Sequence, residues 1–148
     1  MQQTLILLKP DAVQRRLIGD ITARFERKGL RLAGLKLVQA TRDLAEKHYA
    51  VHKGKPFYDS LLSFLTSGPT VAMVWEGREA VVVGRNLIGL TDGAKAVPGS
   101  IRGDLALSVQ NNLVHGSDSG ENAALEIALW FKPEELVKYG SVDAAWVG

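Results

Sequence analysis

The sequence contains no cysteine, so it can form neither disulfide bonds nor thiolate metal sites. No apolar run approaches the roughly 18–20 residues that are needed to cross a bilayer. The first residues, Met1 to Thr4, lack the basic segment and the long apolar stretch of a signal peptide. We therefore expect a cytoplasmic protein with no membrane partner.

The net charge of the chain is also small. Lys and Arg total 18 against 16 Asp and Glu, a formal net charge of +2. Nucleic-acid binding usually requires a clustered basic stripe, so a specific nucleic-acid partner is not expected. A mild positive excess in one cleft could instead attract a small polyanion. The length of 148 residues suits one domain, 1–148, with its own hydrophobic core.

Apolar patterns predict strands and helices in alternation. The predicted strands cover residues 4–8, 30–40, 70–75 and 112–115. The predicted helices lie at 17–28, 44–51, 57–65, 79–88 and 119–131, with a long loop at 89–103. This order indicates an α+β fold, a split β-α-β arrangement in which an antiparallel four-stranded sheet carries helices on one face. The tail beyond Pro133 has no periodicity, but Trp146 predicts that it docks on the domain.

His115 is the strongest candidate for a reactive side chain. It ends a short apolar run, and Gly116 after it leaves room for a ligand to approach the ring. Ser117 and Asp118 are expected to open a helix, and Glu126 on that helix could orient the imidazole. A neutral imidazole is nucleophilic at pH 7. A purely structural histidine is the alternative explanation.

Three residues around the long loop could bind phosphate. Arg85 precedes the loop, Thr91 lies inside it and Arg102 lies near its far end. The planar guanidinium fork of arginine matches phosphate oxygens, and a threonine hydroxyl adds a donor. Taken alone, the three could equally be ordinary surface residues.

His48 and His52 have the spacing of one helical face, which raises the question of a metal site. Neither a third ligand nor a His-Glu-x-x-His pattern accompanies them, so zinc is not expected. A surface helix accounts for both residues. A phosphate contact from His52 is the sharper alternative.

One segment carries a specific resemblance. Asn112-Leu113-Val114-His115-Gly116-Ser117-Asp118 is similar to Asn-x-x-His-[Gly/Ala]-Ser-Asp, the active-site signature of the nucleoside diphosphate kinase family. Further matches follow the order of that family over essentially the whole chain: Leu8-Lys9-Pro10-Asp11, Val13-Gln14-Arg15, Gly29-Leu30, His48-Tyr49, Lys55-Pro56-Phe57, Ser67-Gly68-Pro69, Met73-Val74-Trp75-Glu76-Gly77, Pro98-Gly99-Ser100-Ile101-Arg102-Gly103-Asp104 and Trp130-Phe131-Lys132-Pro133-Glu134-Glu135.

The resemblance implies a ferredoxin-like fold and a ping-pong phosphoryl transfer. A nucleoside triphosphate, typically ATP, would phosphorylate His115, and a nucleoside diphosphate would then collect the group. Tyr49 and Glu126 would position the histidine ring. Mg²⁺ would be carried by the nucleotide phosphates, with no direct protein ligand and a water-mediated contact to Asp118.

The resemblance also implies a nucleotide-binding site. Lys9 would contact the ribose hydroxyls and the γ-phosphate region and take part in catalysis, and Asn112 would hold the sugar. Phe57 and Val109 would lie on either side of the base, and stacking on an aromatic ring favours broad base specificity. The phosphate positions would be Arg85, Thr91 and Arg102, with His52 as an addition.

Some features depart from the family or leave a choice open. Gly93 stands where the family usually has proline, which predicts a more mobile loop. A non-catalytic nucleotide-binding relative is the runner-up, although no matched active-site position is lost. The resemblance implies a homo-oligomer. The extended tail favours a hexamer, with a tetramer as the alternative.

Overall fold

The computed structural model describes residues 1–148, and its centre is a four-stranded antiparallel sheet. The strand order is β2-β3-β1-β4. Each neighbouring pair runs antiparallel, as the split β-α-β prediction requires, so the predicted ferredoxin-like fold is confirmed. The strands are β1 (Gln2–Leu8), β2 (Arg31–Val38), β3 (Thr70–Gly77) and β4 (Val114–Gly116).

Eight helices connect and follow the strands. They are α1 (Pro10–Gln14), α2 (Ile18–Lys28), α3 (Arg42–His48), α4 (Tyr58–Leu65), α5 (Ala80–Ile88), α6 (Ile101–Leu105), α7 (Gly120–Trp130) and α8 (Ala144–Val147), with 3₁₀ turns at Ala50–His52 and Pro133–Glu135. None is both long and apolar enough to cross a membrane.

Three of these helices, α1, α6 and α8, are absent from the sequence prediction. After β1 the chain enters helix α1, which starts with proline, whose fixed φ suits a first helical position. Helix α6 lies partly within the predicted loop 89–103, and the Ser100 hydroxyl caps it by accepting from the Gly103 N–H at 3.0 Å. Helices α1 and α6 have five residues each and α8 has four, which is too short for an apolar period to show.

The predicted placement of helices on one face of the sheet is wrong. Alternate side chains of β1 enter two separate apolar clusters, Ile6 and Leu8 in one, Leu5 and Leu7 in the other. Helices α2 and α5 contribute to the first cluster, whereas α3, α4 and α7 contribute to the second. The central strand is therefore buried on both sides, and it provides a fixed support for β4.

The sequence predicts that the tail docks through Trp146, and this prediction is wrong. The Trp146 side chain is 90% exposed on this chain. The tail instead touches the end of α2 at Gly29, where an added Cβ would lie only 2.6 Å from Val147 Cγ1. Gly29 also has a φ of 105°, which favours glycine.

Candidate active site

His115 lies in the middle of β4, at the edge of the sheet. It pairs with Leu7 of β1. Two backbone bonds fix the ends of the pairing: the Lys9 N–H donates to the Leu113 carbonyl at 2.8 Å, and the Ser117 N–H donates to the Leu5 carbonyl at 3.1 Å. The position of His115 is thus set by the doubly buried central strand.

Glu126 on α7 binds the ring of His115. Its two carboxylate oxygens lie 3.2 and 3.1 Å from Nε2 of His115. The Ser117 hydroxyl donates to the same carboxylate at 2.7 Å. Burial acts to raise the pKa of Glu126, but the hydrogen bonds from His115 and Ser117 outweigh it and hold the pKa below its ordinary value. An ionised carboxylate only accepts, so Nε2 of His115 carries the proton and the neutral ring keeps its lone pair on Nδ1.

Helix α7 presents Glu126 and Trp130 one turn apart, on the same face. The helix begins after Ser119, whose hydroxyl accepts from the Asn122 N–H at 3.0 Å. Ser117 and Asp118 therefore precede the helix instead of opening it. Asp118 is exposed and accepts from the Asn122 side chain at 2.7 Å.

Gly116 serves a different purpose from the one predicted. A Cβ on Gly116 would lie 2.6 Å from Ile88 Cδ1 and 3.8 Å from Arg85 Cδ. The missing side chain therefore makes room for α5 to pack against β4, and not for a ligand beside the ring.

His48 lies on the buried face of its helix, so a surface position does not account for it. It is the last residue of α3 and only 9% exposed, whereas His52 lies in the following 3₁₀ turn. The rings of His48 and His115 meet edge to face, with centroids 4.6 Å apart. Sequence reasoning gave His48 no function. Its spacing of three from the buried Ala45 is a signal that it faces the core.

Tyr49 packs beside these histidines. Its ring lies edge-on to that of His48 at 4.7 Å and tilted to that of His52 at 6.2 Å. Burial raises the pKa of Tyr49 to about 12, so its hydroxyl stays protonated at pH 7. His48 in turn contacts His115, so the structure connects Tyr49 to the nucleophile candidate by way of His48.

The structure brings Lys9, Asn112 and Thr91 together. The Lys9 ammonium donates to the Asn112 side-chain oxygen, and the Asn112 amide donates to the Thr91 carbonyl at 3.0 Å. Burial lowers the pKa of Lys9 to about 8; nearby Asp11 opposes this shift and Arg102 adds to it. Lys9 is thus a buried cation that donates to a neutral amide and has the Asp11 carboxylate as its nearby opposite charge.

The two arginines approach the free edge of β4. Arg85 is exposed and donates to the Gly116 carbonyl at 3.2 Å. Arg102 is only 5% exposed and donates to the carbonyls of Asn112, Gly89 and Val114 at 3.1, 3.2 and 2.5 Å.

Three of the five N–H groups of Arg102 are therefore bound to backbone. Burial, with Arg85 nearby, lowers the pKa of Arg102 to about 10, so the guanidinium remains charged at pH 7. The structure thus gives Arg102 a structural role that the sequence did not indicate.

Phe57 and Val109 are apolar side chains that remain 47% and 55% exposed. The Gln110 side chain donates to the Ser60 hydroxyl at 3.2 Å, which ties the segment of Val109 to the helix that follows Phe57. The His52 ring lies 5.3 Å from that of Phe57, and burial together with Lys55 lowers the pKa of His52.

Leu113 has a backbone conformation that sequence reasoning missed. It is buried with a φ of 72°, an arrangement that costs a non-glycine residue on the order of 1–3 kcal/mol. The Asp11 carboxylate accepts from the Leu113 N–H at 3.1 Å. Asp11 therefore supports the strained turn between Asn112 and His115, and no sequence pattern reveals a positive φ.

Gly93 is closely packed. A Cβ there would lie 2.6 Å from the backbone carbonyl of Ala106, and the Gly93 N–H donates to the Ser108 carbonyl at 3.3 Å. This packing opposes the loop mobility that the sequence predicts at Gly93.

A family model described as nucleoside diphosphate kinase matches residues 2–136. The chain belongs to the nucleoside diphosphate kinase family. It is 54% identical to the nucleoside diphosphate kinase of Carboxydothermus hydrogenoformans and 55% identical to that of Staphylococcus aureus strain Newman, each over 147 residues and 99% of both chains. The predicted family is confirmed.

Solved structures of nucleoside diphosphate kinases share the fold. A family protein from Babesia bovis superposes with a TM-score of 0.97 at 47% identity over 100% of both chains. The Halobacterium salinarum enzyme, in complex with CDP, gives a TM-score of 0.97 at 48% identity over 99% of this chain and 98% of that one. This chain is accordingly a phosphotransferase that moves the γ-phosphate of a nucleoside triphosphate to a nucleoside diphosphate.

Proposed function

We propose that the chain transfers the phosphoryl group in two half-reactions through Nδ1 of His115. The observation that carries this proposal is the Glu126–His115 bond, because a carboxylate on Nε2 leaves the lone pair on Nδ1. In the first half-reaction, this lone pair bonds to the γ-phosphorus while the bond to the β–γ bridging oxygen breaks. The nucleoside diphosphate leaves with that oxygen and its electron pair.

The second half-reaction reverses these steps with another diphosphate. Its terminal β-phosphate oxygen attacks the phosphorus, and the P–N bond breaks so that the electron pair returns to Nδ1. Glu126 holds the Nε2 proton throughout, so the ring needs no proton transfer to act as nucleophile and leaving group in turn. Broad base and sugar specificity follows if one site serves both substrates.

The phosphates are bound by cations around β4. Arg85 is exposed and has unused N–H donors, and Arg102 lies near it on the same strand edge. Lys9 adds a third positive charge, and the exposed Thr91 adds a hydroxyl. His52 is the further phosphate contact. Charge neutralisation of this kind is the main requirement of phosphoryl transfer.

The nucleoside is bound beside these cations. Phe57 and Val109 hold the base between two exposed apolar surfaces, and Asn112 and Lys9 hold the sugar. Stacking recognises the π-face that every base has, so base selectivity is low. The CDP complex of the Halobacterium salinarum relative supports a nucleoside diphosphate as ligand.

Mg²⁺ fits this site as an ion carried by the nucleotide. Mg²⁺ prefers oxygen ligands in octahedral geometry and retains water. The exposed Asp118 has one carboxylate oxygen bound to Asn122, which leaves the other oxygen for a water of the ion. When bound, Mg²⁺ neutralises phosphate charge.

The same proposal includes a single domain over 1–148, a cytoplasmic location and a homo-oligomer, with a hexamer favoured over a tetramer. Exposed apolar side chains on the edge strand β2 and on the tail support assembly: Leu35, Leu37 and Trp146. Light scattering tests the mass, and a tetramer would contradict the hexamer.

The deciding experiment records the intact mass after incubation with ATP and Mg²⁺, before and after addition of GDP. We expect one acid-labile phosphate that GDP removes and that a His115→Ala variant never acquires. Nucleotide binding without phosphate gain would contradict the proposed mechanism and favour a non-catalytic nucleotide-binding protein.

A further inference from the structure

The buried imidazole of His48 has no role in the mechanism above. It closes α3 and lies between three aromatic rings, all of them at steep angles to it. The centroid distances are 4.6 Å to His115, 4.7 Å to Tyr49 and 5.6 Å to Trp130. One polar side chain thus fills the space behind the catalytic histidine.

Trp130 fixes the tautomer of this ring. Its indole N–H donates to Nδ1 of His48 at 3.1 Å. An indole nitrogen is only a donor, so Nδ1 must accept and the proton of the neutral ring lies on Nε2. Burial, followed by the nearness of His115, lowers the pKa of His48 to about 3, which keeps the ring neutral at pH 7. Nε2 is buried and has no hydrogen-bond partner in the protein.

A metal site is the competing explanation for these groups. One nitrogen from each histidine and one oxygen of Glu126 lie within 4.8 Å of one another, and such donors can bind zinc. To act as a ligand, however, Nε2 of His48 must give up its proton. The neutral ring would then carry the proton on Nδ1, where the Trp130 N–H already points. The tautomer therefore favours a packing role for His48 over a role as a metal ligand.

The partner groups of both histidines come from one helix. Glu126 and Trp130 are four residues apart on α7, so the same rigid helix holds His115 through one residue and His48 through the other. Any rotation of the His115 ring about its Cβ must displace His48 or break the bond to Glu126. Interiors are closely packed, so such displacement is opposed.

We propose that His48 is a positioning residue for phosphoryl transfer: held by Trp130, it packs against the imidazole of His115 so that Nε2 stays on Glu126 and Nδ1 stays free. This inference rests on the proposed function of His115 as nucleophile. It gives His48 no contact with substrate.

Three variants separate the contribution of the Nδ1 acceptor of His48 from that of its Nε2–H group. His48→Asn retains an oxygen near the Nδ1 position for Trp130 but has no atom at Nε2, and His48→Gln places an amide N–H near the Nε2 position. His48→Leu removes both. We expect kcat to fall roughly tenfold or more in the Leu variant, with nucleotide KM within twofold, since misplacement of a reacting group on the order of 1 Å can cost about 100-fold. The Asn and Gln variants should recover part of the loss.

A matched pair of tryptophan variants covers the case in which His48 variants fail to fold. Trp130→Phe removes the N–H that binds His48, whereas Trp75→Phe removes a buried indole N–H that has no partner. We expect Trp130→Phe to lower kcat severalfold and Trp75→Phe to leave it within twofold. Equal effects of the two changes would overturn the inference.

Nitrogen NMR of the protein without nucleotide measures the tautomer of the His115 ring directly. We expect the Nε2–H tautomer of His115 in the wild type and a mixture of tautomers in His48→Leu and Trp130→Phe. An unchanged His115 tautomer together with an unchanged kcat would overturn the role of His48. Failure of the proposed function would look different, because the wild type itself would then gain no phosphate on His115.

Discussion

Glu126 accepts from Nε2 of His115 with both of its carboxylate oxygens in range, at 3.1 and 3.2 Å. The bond determines which nitrogen of the ring is free. A residue eleven positions away in the chain, on another element, therefore sets the chemistry of the nucleophile.

Replacement of Glu126 by glutamine should disturb that choice. An amide can donate to Nε2 and so move the ring proton to Nδ1, where it blocks the nucleophilic lone pair. We expect the rate of phosphoenzyme formation to fall about 10- to 100-fold, the range seen when carboxylates that orient metal-binding histidines are removed. Rapid-quench labelling measures the rate. The control is Glu121→Gln at an exposed position of the same helix, and equal rates in both variants would contradict the assignment.

The low pKa of Lys9 predicts a pH dependence. Burial holds this pKa near 8, so the ammonium of the free enzyme is charged below about pH 8 and neutral above it. The site loses a cation as pH rises through that value, and kcat/KM for a nucleotide should fall, because kcat/KM follows ionisations of the free enzyme. A Lys9→Arg variant stays charged and should lack this inflection. A wild-type profile that is flat from pH 7 to 9 would argue against the buried cation.

The close packing of Gly93 predicts an effect on stability. Gly93→Ala places a Cβ against the backbone of Ala106, and such overpacking costs about 1–3 kcal/mol. Gly19→Ala is the matched control, because nothing lies within 4 Å of its added Cβ within α2. That change adds a Cβ in open space and should not destabilise the protein. Urea unfolding of both variants measures the difference, and equal midpoints would refute the packing argument.

Asp11 should matter for the strained turn at Leu113. Asp11→Ala leaves a buried backbone N–H without its acceptor, which costs about 1–3 kcal/mol. Asp11→Asn keeps an acceptor oxygen and should lose less. Thermal unfolding compares the two. If alanine and asparagine are equally stable, the hydrogen bond to Leu113 does not support the turn.

The sequence predicts β1 and β3 well because each contains an uninterrupted apolar run, residues 5–8 in β1 and residues 71–75 in β3. The continuous apolar run of β1 also argues against the predicted sheet with helices on one face only. Four consecutive apolar residues, Leu5 to Leu8, are typical of a strand buried on both faces, whereas a one-faced sheet strand alternates. Helices α1, α6 and α8 were not predicted, because four or five residues are too few for an apolar period to show.

The candidate site was predicted in outline through one specific motif. What the sequence could not supply was the relation between distant residues. The burial of His48 depends on Trp130, which lies 82 positions later, and the positive φ of Leu113 depends on Asp11, which lies 102 positions earlier. Such pairings arise only when the chain folds.

The position of the two arginines has a consequence for solubility. β4 is an edge strand, and the carbonyls of Val114 and Gly116, which point away from β1, accept from Arg102 and Arg85. Unpaired strand edges are templates on which other chains can add, and a charged side chain across the edge prevents this. The same cations would then protect the bare edge of the sheet against intermolecular strand pairing whenever no nucleotide is bound.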